Sequence, residues 1–180
     1  MGGAPLTPTP PLVHIILTGV LIGPTKMNNC QWDGLTCGAG GAEQAVSGVS
    51  SALLSSQPYL AAVAIVAGPA TGALEKPDAA GTAELFVHGQ ATSYQLIKRQ
   101  DSFTPTWDIQ WSSVVLDSSV RLHVKLVDKD LQNDDDIGVF DLSYANLQDA
   151  YARQTIVQVR VAEQTYKQVL FAGISVVAAR

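Results

Sequence analysis

Apolar and polar residues alternate through most of the second half of the chain. From Thr82 onward apolar side chains recur at every second position, as in Leu122, Val124 and Leu126, with polar residues between them. A period of two is typical of strands that bury one face. With the β-branched run from Leu12 to Gly23, the pattern predicts an all-β fold, an eight-stranded antiparallel β-sandwich. The predicted strands cover 12–23, about 82–88, 94–98, 107–115, 120–127, 137–142, 155–161 and 168–177.

Residues 42–76 differ in character and predict a helical insertion between strands 1 and 2. Val46, Val49, Leu53 and Leu54 recur at three- and four-residue spacing, which predicts a helix ending near residues 55–56. Pro58 suits the first turn of a second helix, which Gly68-Pro69 would end. We expect this apolar helical pair to pack against a sheet.

Length and local composition favour a single domain. A chain of 180 residues can bury roughly 70% of its unfolded surface, enough for one core. We predict one sandwich domain over 12–180, after a Pro-rich leader at 1–11 that is disordered or polyproline-like. The most apolar segment, 60–67, is far shorter than the ~20 residues of a membrane-spanning helix, and no secretory signal is visible. A cytoplasmic or peripheral membrane location is therefore favoured.

The charge balance excludes some partners, and the motif content argues against an enzyme. Eleven Lys and Arg against sixteen Asp and Glu give a net charge of −5. Neither the basic stripe of a nucleic-acid binder nor a polybasic membrane patch is present. GxSxG, HExxH and GxxxxGK[ST] motifs do not occur, so catalysis is not expected. His14, His88 and His123 fall within strand patterns and are interpreted as surface or packed residues.

Cys30 and Cys37 leave several interpretations open. Two thiols seven residues apart do not supply the four ligands of a structural zinc site, and they lack the CxxC spacing of redox proteins. They could close a loop as a disulfide, remain reduced and buried, or be unreactive loop residues.

The strongest chemical signal is an acidic run in VDKDLQNDDDIG. Asp128 and Asp130 lie at i and i+2 where an apolar strand ends, and Asp134, Asp135 and Asp136 follow a short loop. Two carboxylates about 5 Å apart repel by roughly 3 kcal/mol at an effective dielectric near 20, so several together require a counter-charge. Calcium, which accepts six to eight oxygen ligands, is the natural candidate. The alternative is a solvated acidic loop whose side chains point apart.

The same residues resemble the third calcium loop of the C2 domain, the module of protein kinase C and synaptotagmin. That loop has the pattern D-x-D, a short loop, and then an Asp three residues before a Gly. In this chain the matching residues are Asp128 and Asp130, followed by Asp135 and Gly138. The segment TPTWD at 104–108 resembles the family's Pro-x-Trp-Asn element. The resemblance covers about 84–142 and extends to 177. It implies a C2-like sandwich, and the chain's start on the strand before the first calcium loop implies the phospholipase-like circular arrangement.

The resemblance also implies ligands from the first calcium loop and apolar contacts at the loop tips. By position these ligands would be Asp33 and Asp78, joining Asp128, Asp130 and Asp135, with Asp134 as a further candidate. The apolar residues near the predicted loop tips are Trp32, Leu35 and Leu131, which could contact a membrane. For Trp32 a packed loop anchor is the equal alternative.

Together these features imply a calcium-dependent binding module for anionic phospholipid headgroups or another phosphate-bearing surface. The alternative is a calcium-independent structural or protein-interaction module that uses the sandwich and its helical insertion.

Overall fold

A computed structural model describes most of the chain. The described residues are 9–26, 30–32, 37, 41–52, 54–68, 74–130, 134–161 and 168–180. Within 41–46 only the backbone is described. Most of the predicted leader, residues 1–8, lies outside these ranges, as do Asp33, Leu35 and Leu131.

Eight strands form two antiparallel four-stranded sheets, as predicted. The order is β4-β1-β8-β7 in sheet A and β3-β2-β5-β6 in sheet B. The first and last strands are neighbours, with Ile15 opposite Val176. The strands are β1 Leu12–Ile22, β2 Ala79–Val87, β3 Gln90–Arg99, β4 Thr106–Val115, β5 Arg121–Asp128, β6 Asp135–Leu142, β7 Val157–Arg160 and β8 Val169–Ala178.

Alternating side chains of the two sheets form the core. The β5 residues predicted to face inward, Leu122, Val124 and Leu126, are fully buried. Two tryptophans on one face of β4 join the edge strands of the two sheets. The indole N–H of Trp107 donates to Ile97 O (2.7 Å), and that of Trp111 donates to Thr92 O (3.0 Å). These bonds satisfy the polar atom of each large buried ring.

The predicted helical insertion lies between β1 and β2. It contains α1 (Gly41–Ala52) and α2 (Pro58–Val66), and Ala62 and Val66 of α2 join the hydrophobic core. Tyr59 packs edge-on against Phe171 of β8, with ring centroids 5.5 Å apart. The first helix ends earlier than predicted, so Leu54 lies beyond it and is 86% exposed. None of the helices described has the length and apolarity needed to cross a bilayer.

A third helix, α3 (Tyr144–Arg153), was not predicted from the sequence. It connects β6 to β7 and buries Leu147 and Ala150, while the Ser143 N–H donates to the Asn146 side chain at its start (2.9 Å). Tyr144 and Tyr151 pack against the core beside them, so the helix has an apolar stripe, but one confined to a ten-residue segment. The strand-dominated pattern around it obscured that signal.

One end of the sandwich gathers the segments that carry the acidic residues. At this end β1, β3, β5 and β7 finish and β2, β4, β6 and β8 begin, as the antiparallel register requires. We call it the loop end, and its described residues are 23–26, 30–32, 74–78, 98–105, 128–130, 134–135, 161 and 168.

The close approach of β2 to β5 depends on Gly81. A Cβ built there would lie 1.9 Å from the Lys125 carbonyl oxygen, a backbone atom that cannot rotate away. We expect Gly81→Ala to destabilise the fold by about 3 kcal/mol, because the two strands must separate. Gly48→Ala is the control, since there the three nearest atoms, at 3.2–3.6 Å, belong to the Ile65 side chain and not to a backbone, and alanine favours the helix. Equal denaturant midpoints for Gly81→Ala and the unsubstituted chain would contradict this account.

Candidate functional site

Asp78, immediately before β2, connects three segments of the loop end. Its N–H donates to Asp128 Oδ1 (2.6 Å), and its carbonyl oxygen accepts from the Lys129 N–H (3.0 Å). Its own carboxylate accepts the Asp101 N–H at Oδ1 (2.9 Å) and pairs with Lys98 Nζ through Oδ2 (2.5 Å). Both its main chain and its side chain therefore tie β2 to the segments after β3 and β5.

Asp128 is the most enclosed carboxylate of the site. It is fully buried at the end of β5, where its register partners are Ala79 on one side and Asp135 on the other. A buried charge is costly unless other groups compensate it. The Asp78 N–H supplies one hydrogen bond, and the positive charge of Lys98 lies nearby.

Three lysines pair with carboxylates at the loop end. Lys98 pairs with Asp78, Lys26 with Asp135 and Lys129 with Asp134. The Lys98 ammonium also donates to the Lys129 carbonyl oxygen (3.0 Å). Sequence reasoning missed these partners, although Lys129 alternates with the aspartates in DKD and Lys98 lies directly before the segment that packs on Asp78.

The hydrogen bonds around Asp78 change the acid–base behaviour of both partners. Burial alone would raise the pKa of Asp78. The Lys98 ammonium and the Asp101 N–H outweigh that effect and hold the pKa below its ordinary value. The hydrogen bond to Asp78 raises the pKa of Lys98 against a smaller opposing effect of desolvation, and the negative charges of Asp78, Asp128 and Asp130 raise it further.

The predicted metal ligands that the structure describes lie at one end of the sandwich but differ in burial. Asp78, Asp128, Asp130, Asp134 and Asp135 all lie at the loop end, with Asp130 half-buried and Asp134 exposed. In the part of the chain that is described, no group of three or more His, Cys, Asp or Glu side chains is arranged to hold a metal ion. The oxygens of Asp78 and of the Lys129 carbonyl nevertheless already bind one cation, the Lys98 ammonium. Carboxylate and carbonyl oxygens are the donor types that a hard cation takes, and here two of them hold the Lys98 ammonium.

Trp32 packs inside the protein. Its side chain is fully buried, and its indole N–H donates to the Gly23 carbonyl oxygen (3.1 Å). The sequence left two interpretations of Trp32, a membrane contact and a packed loop anchor. The burial of the ring fits the packed anchor, because a buried side chain cannot contact a membrane. The other two predicted membrane contacts, Leu35 and Leu131, lie outside the described residues.

A disulfide joins Cys30 and Cys37, one of the three alternatives that the sequence left open (Cα–Cα 3.9 Å). The Lys26 N–H donates to the Cys30 carbonyl oxygen (2.9 Å). This contact connects the disulfide to the segment after β1. That segment contains Lys26, which pairs with Asp135.

The three histidines are placed with separate partners. His123 on β5 pairs with Asp141 (2.9 Å), and the Ser113 N–H points to His14 Nδ1 (3.4 Å). His88 differs from its predicted strand position, since it lies in the β2–β3 turn with φ of 50° and pairs with Asp117 (3.2 Å).

Among the comparisons with known proteins, only the comparison with solved structures found similar proteins. No family model matches the chain, and no curated protein matches it. Human GIVD cytosolic phospholipase A2 is 8% identical with a TM-score of 0.48, and the match covers 96% of this chain and 17% of that one. A C2 domain of plant extended synaptotagmin 1 is 9% identical with a TM-score of 0.47, covering 97% and 99%. A calcium-bound pair of C2 domains from extended synaptotagmin 2 is 12% identical with a TM-score of 0.45, covering 94% and 46%. These likenesses concern the fold alone.

The lowered pKa of Asp78 predicts a specific acid dependence of stability. Folding favours its ionised form, so its contribution is fully present above the unfolded pKa of about 3.9 and is lost as pH falls through the folded value. In chelator, we expect Asp78→Asn to lower the Tm most at pH 6–7 and to differ less from the unsubstituted chain below about pH 4. Asp149→Asn, which removes an exposed pair with Arg153 on α3, is the control. A Tm deficit that stays constant down to about pH 2.5 would show that the charge of Asp78 is not its source.

Proposed function

Because the chain folds as a C2-like sandwich, we propose that it is a non-catalytic docking module whose loop end binds calcium and then a phosphate-bearing anionic surface. The observation that supports this most is the convergence of aspartates from separate segments. Asp78 precedes β2, Asp128 ends β5 with Asp130 two residues after it, and Asp134 directly precedes β6, which Asp135 begins.

The residues proposed to hold calcium are Asp78, Asp128, Asp130 and Asp135, with Asp134 beside them. Asp33 remains a proposed ligand from outside the described residues. All offer carboxylate oxygen, the ligand that calcium prefers. When bound, calcium would supply positive charge and open coordination positions for phosphate oxygens.

Charge explains why docking would depend on the ion. The chain carries a net charge of −5, and its acidic loop end would be repelled by anionic headgroups. Among the described residues of the loop end, Trp32 and Phe103 are buried, so neither offers an apolar wedge for the membrane. We therefore assign the attraction to a change in the sign of the local charge, with Leu35 and Leu131 remaining proposed membrane contacts outside the described residues.

A second candidate function is a calcium-independent protein-interaction module, the alternative that the sequence left open. The specific observation in its favour is that Lys26, Lys98 and Lys129 already pair with the carboxylates. In addition, the helical insertion exposes Leu54 (86%) and Leu60 (60%), which a protein partner could cover.

Vesicle sedimentation tests the main proposal. With phosphatidylserine-containing vesicles we expect binding at millimolar calcium, release by chelator, and no binding to purely zwitterionic vesicles. Asp130→Asn should raise the calcium concentration at half-maximal binding by about tenfold, because it removes one full charge from the site. Asp149→Asn on α3 is the matched control and should bind as the unsubstituted chain does. Equal sedimentation with calcium and with chelator would contradict calcium dependence.

Titration calorimetry separates the two candidate functions. We expect heat of calcium binding from the unsubstituted chain and a strongly reduced signal from Asp130→Asn. If no heat is detected at millimolar calcium while vesicle or partner binding persists in chelator, the calcium-independent module is the correct function.

A further inference from the structure

The Lys98 ammonium lies among the oxygens of the loop end. It contacts Asp78 Oδ2 (2.5 Å) and the Lys129 carbonyl oxygen (3.0 Å), and the charges of Asp128 and Asp130 act on it as well. Lys26 and Lys129, by contrast, each pair with an aspartate at the start of β6, and both of these aspartates are substantially exposed. Lys98 is thus the cation that serves the most enclosed carboxylates.

An irregularity in the β2–β3 pairing accompanies this position. Ala79 pairs with Arg99 and Gly81 pairs with Leu96. Between these two pairs β3 contains two residues, Ile97 and Lys98, whereas β2 contains one, Ala80. An extra residue of this kind is a β-bulge, which redirects the side chains beside it. Ile97 and Lys98 occupy the bulged stretch, and the Lys98 side chain reaches across the loop end to Lys129.

We propose that Lys98 is the resident counter-cation of the loop end, and that calcium and the Lys98 ammonium compete for the same oxygens. The competition part rests on the proposed function, whereas the counter-cation part does not. In this arrangement the module without calcium is electrostatically compensated and folded. The divalent ion binds only where its attraction exceeds that of the tethered ammonium.

The proposed competition predicts a measurable change in the affinity for calcium when Lys98 loses its charge. Removing one positive charge within about 5 Å of a bound cation corresponds to roughly a tenfold gain in affinity or more, depending on the local dielectric. Lys98→Met retains most of the aliphatic length and removes the charge, whereas Lys98→Arg keeps the charge. Lys125→Met, on the exposed side of β5, is the matched control for loss of a lysine.

The first experiment measures thermal unfolding in chelator for Lys98→Met, Asp78→Asn and the double variant. We expect Lys98→Met to lower the Tm more than Lys125→Met does, and the double variant to lose less than the sum of the single changes, because each single change leaves an unbalanced charge. Lys98→Arg should stay close to the unsubstituted chain. Additive losses, or a loss no larger than that of Lys125→Met, would overturn the assignment of Lys98 as counter-cation.

The second experiment titrates calcium into the same proteins by calorimetry. We expect Lys98→Met to bind calcium roughly tenfold more tightly than the unsubstituted chain, with Lys98→Arg and Lys125→Met unchanged. Equal affinities for the unsubstituted chain and Lys98→Met would overturn competition while leaving the proposed function in place. If none of the proteins binds calcium, the proposed function fails, and coupling between Lys98 and Asp78 in chelator still supports the counter-cation.

Discussion

The compensation of negative charge at the loop end is the constraint on which the rest of this site depends. A fully buried aspartate, Asp128, ends β5, and further aspartates begin β6 directly beside it. Buried carboxylates that lack compensation would destabilise the very end of the sandwich where strands of both sheets meet. The protein supplies that compensation in two forms, main-chain N–H groups and lysine ammonium groups.

Asp78 combines an observed structural role with a proposed functional one. Its main chain holds the segment after β5, and its carboxylate holds both Lys98 and the segment after β3. The same carboxylate is a proposed calcium ligand. Under the proposed function, binding of a divalent ion at this position would be coupled to the packing of the three segments that Asp78 connects.

Much of the fold could be predicted because burial on one face of a sheet imposes a period of two. Leu122, Val124 and Leu126 illustrate this for the strands, whereas the helical insertion followed from apolar residues at three- and four-residue spacing. The prediction failed where the pattern is short or ambiguous. In α3 only Leu147 and Ala150 are fully buried, and Leu54 fits an apolar helical spacing although the helix has ended before it.

The sequence by itself determined that acidic residues follow the end of β5, because their order along the chain and their strand positions are local properties. Only the tertiary structure decided what surrounds them. Lys26 and Lys98 are distant in sequence from the residues they pair with, and Trp32 is buried by packing that a loop composition does not reveal. Counter-charge and burial depend on which segments meet in space, and the antiparallel arrangement of the sheets brings these segments to one end.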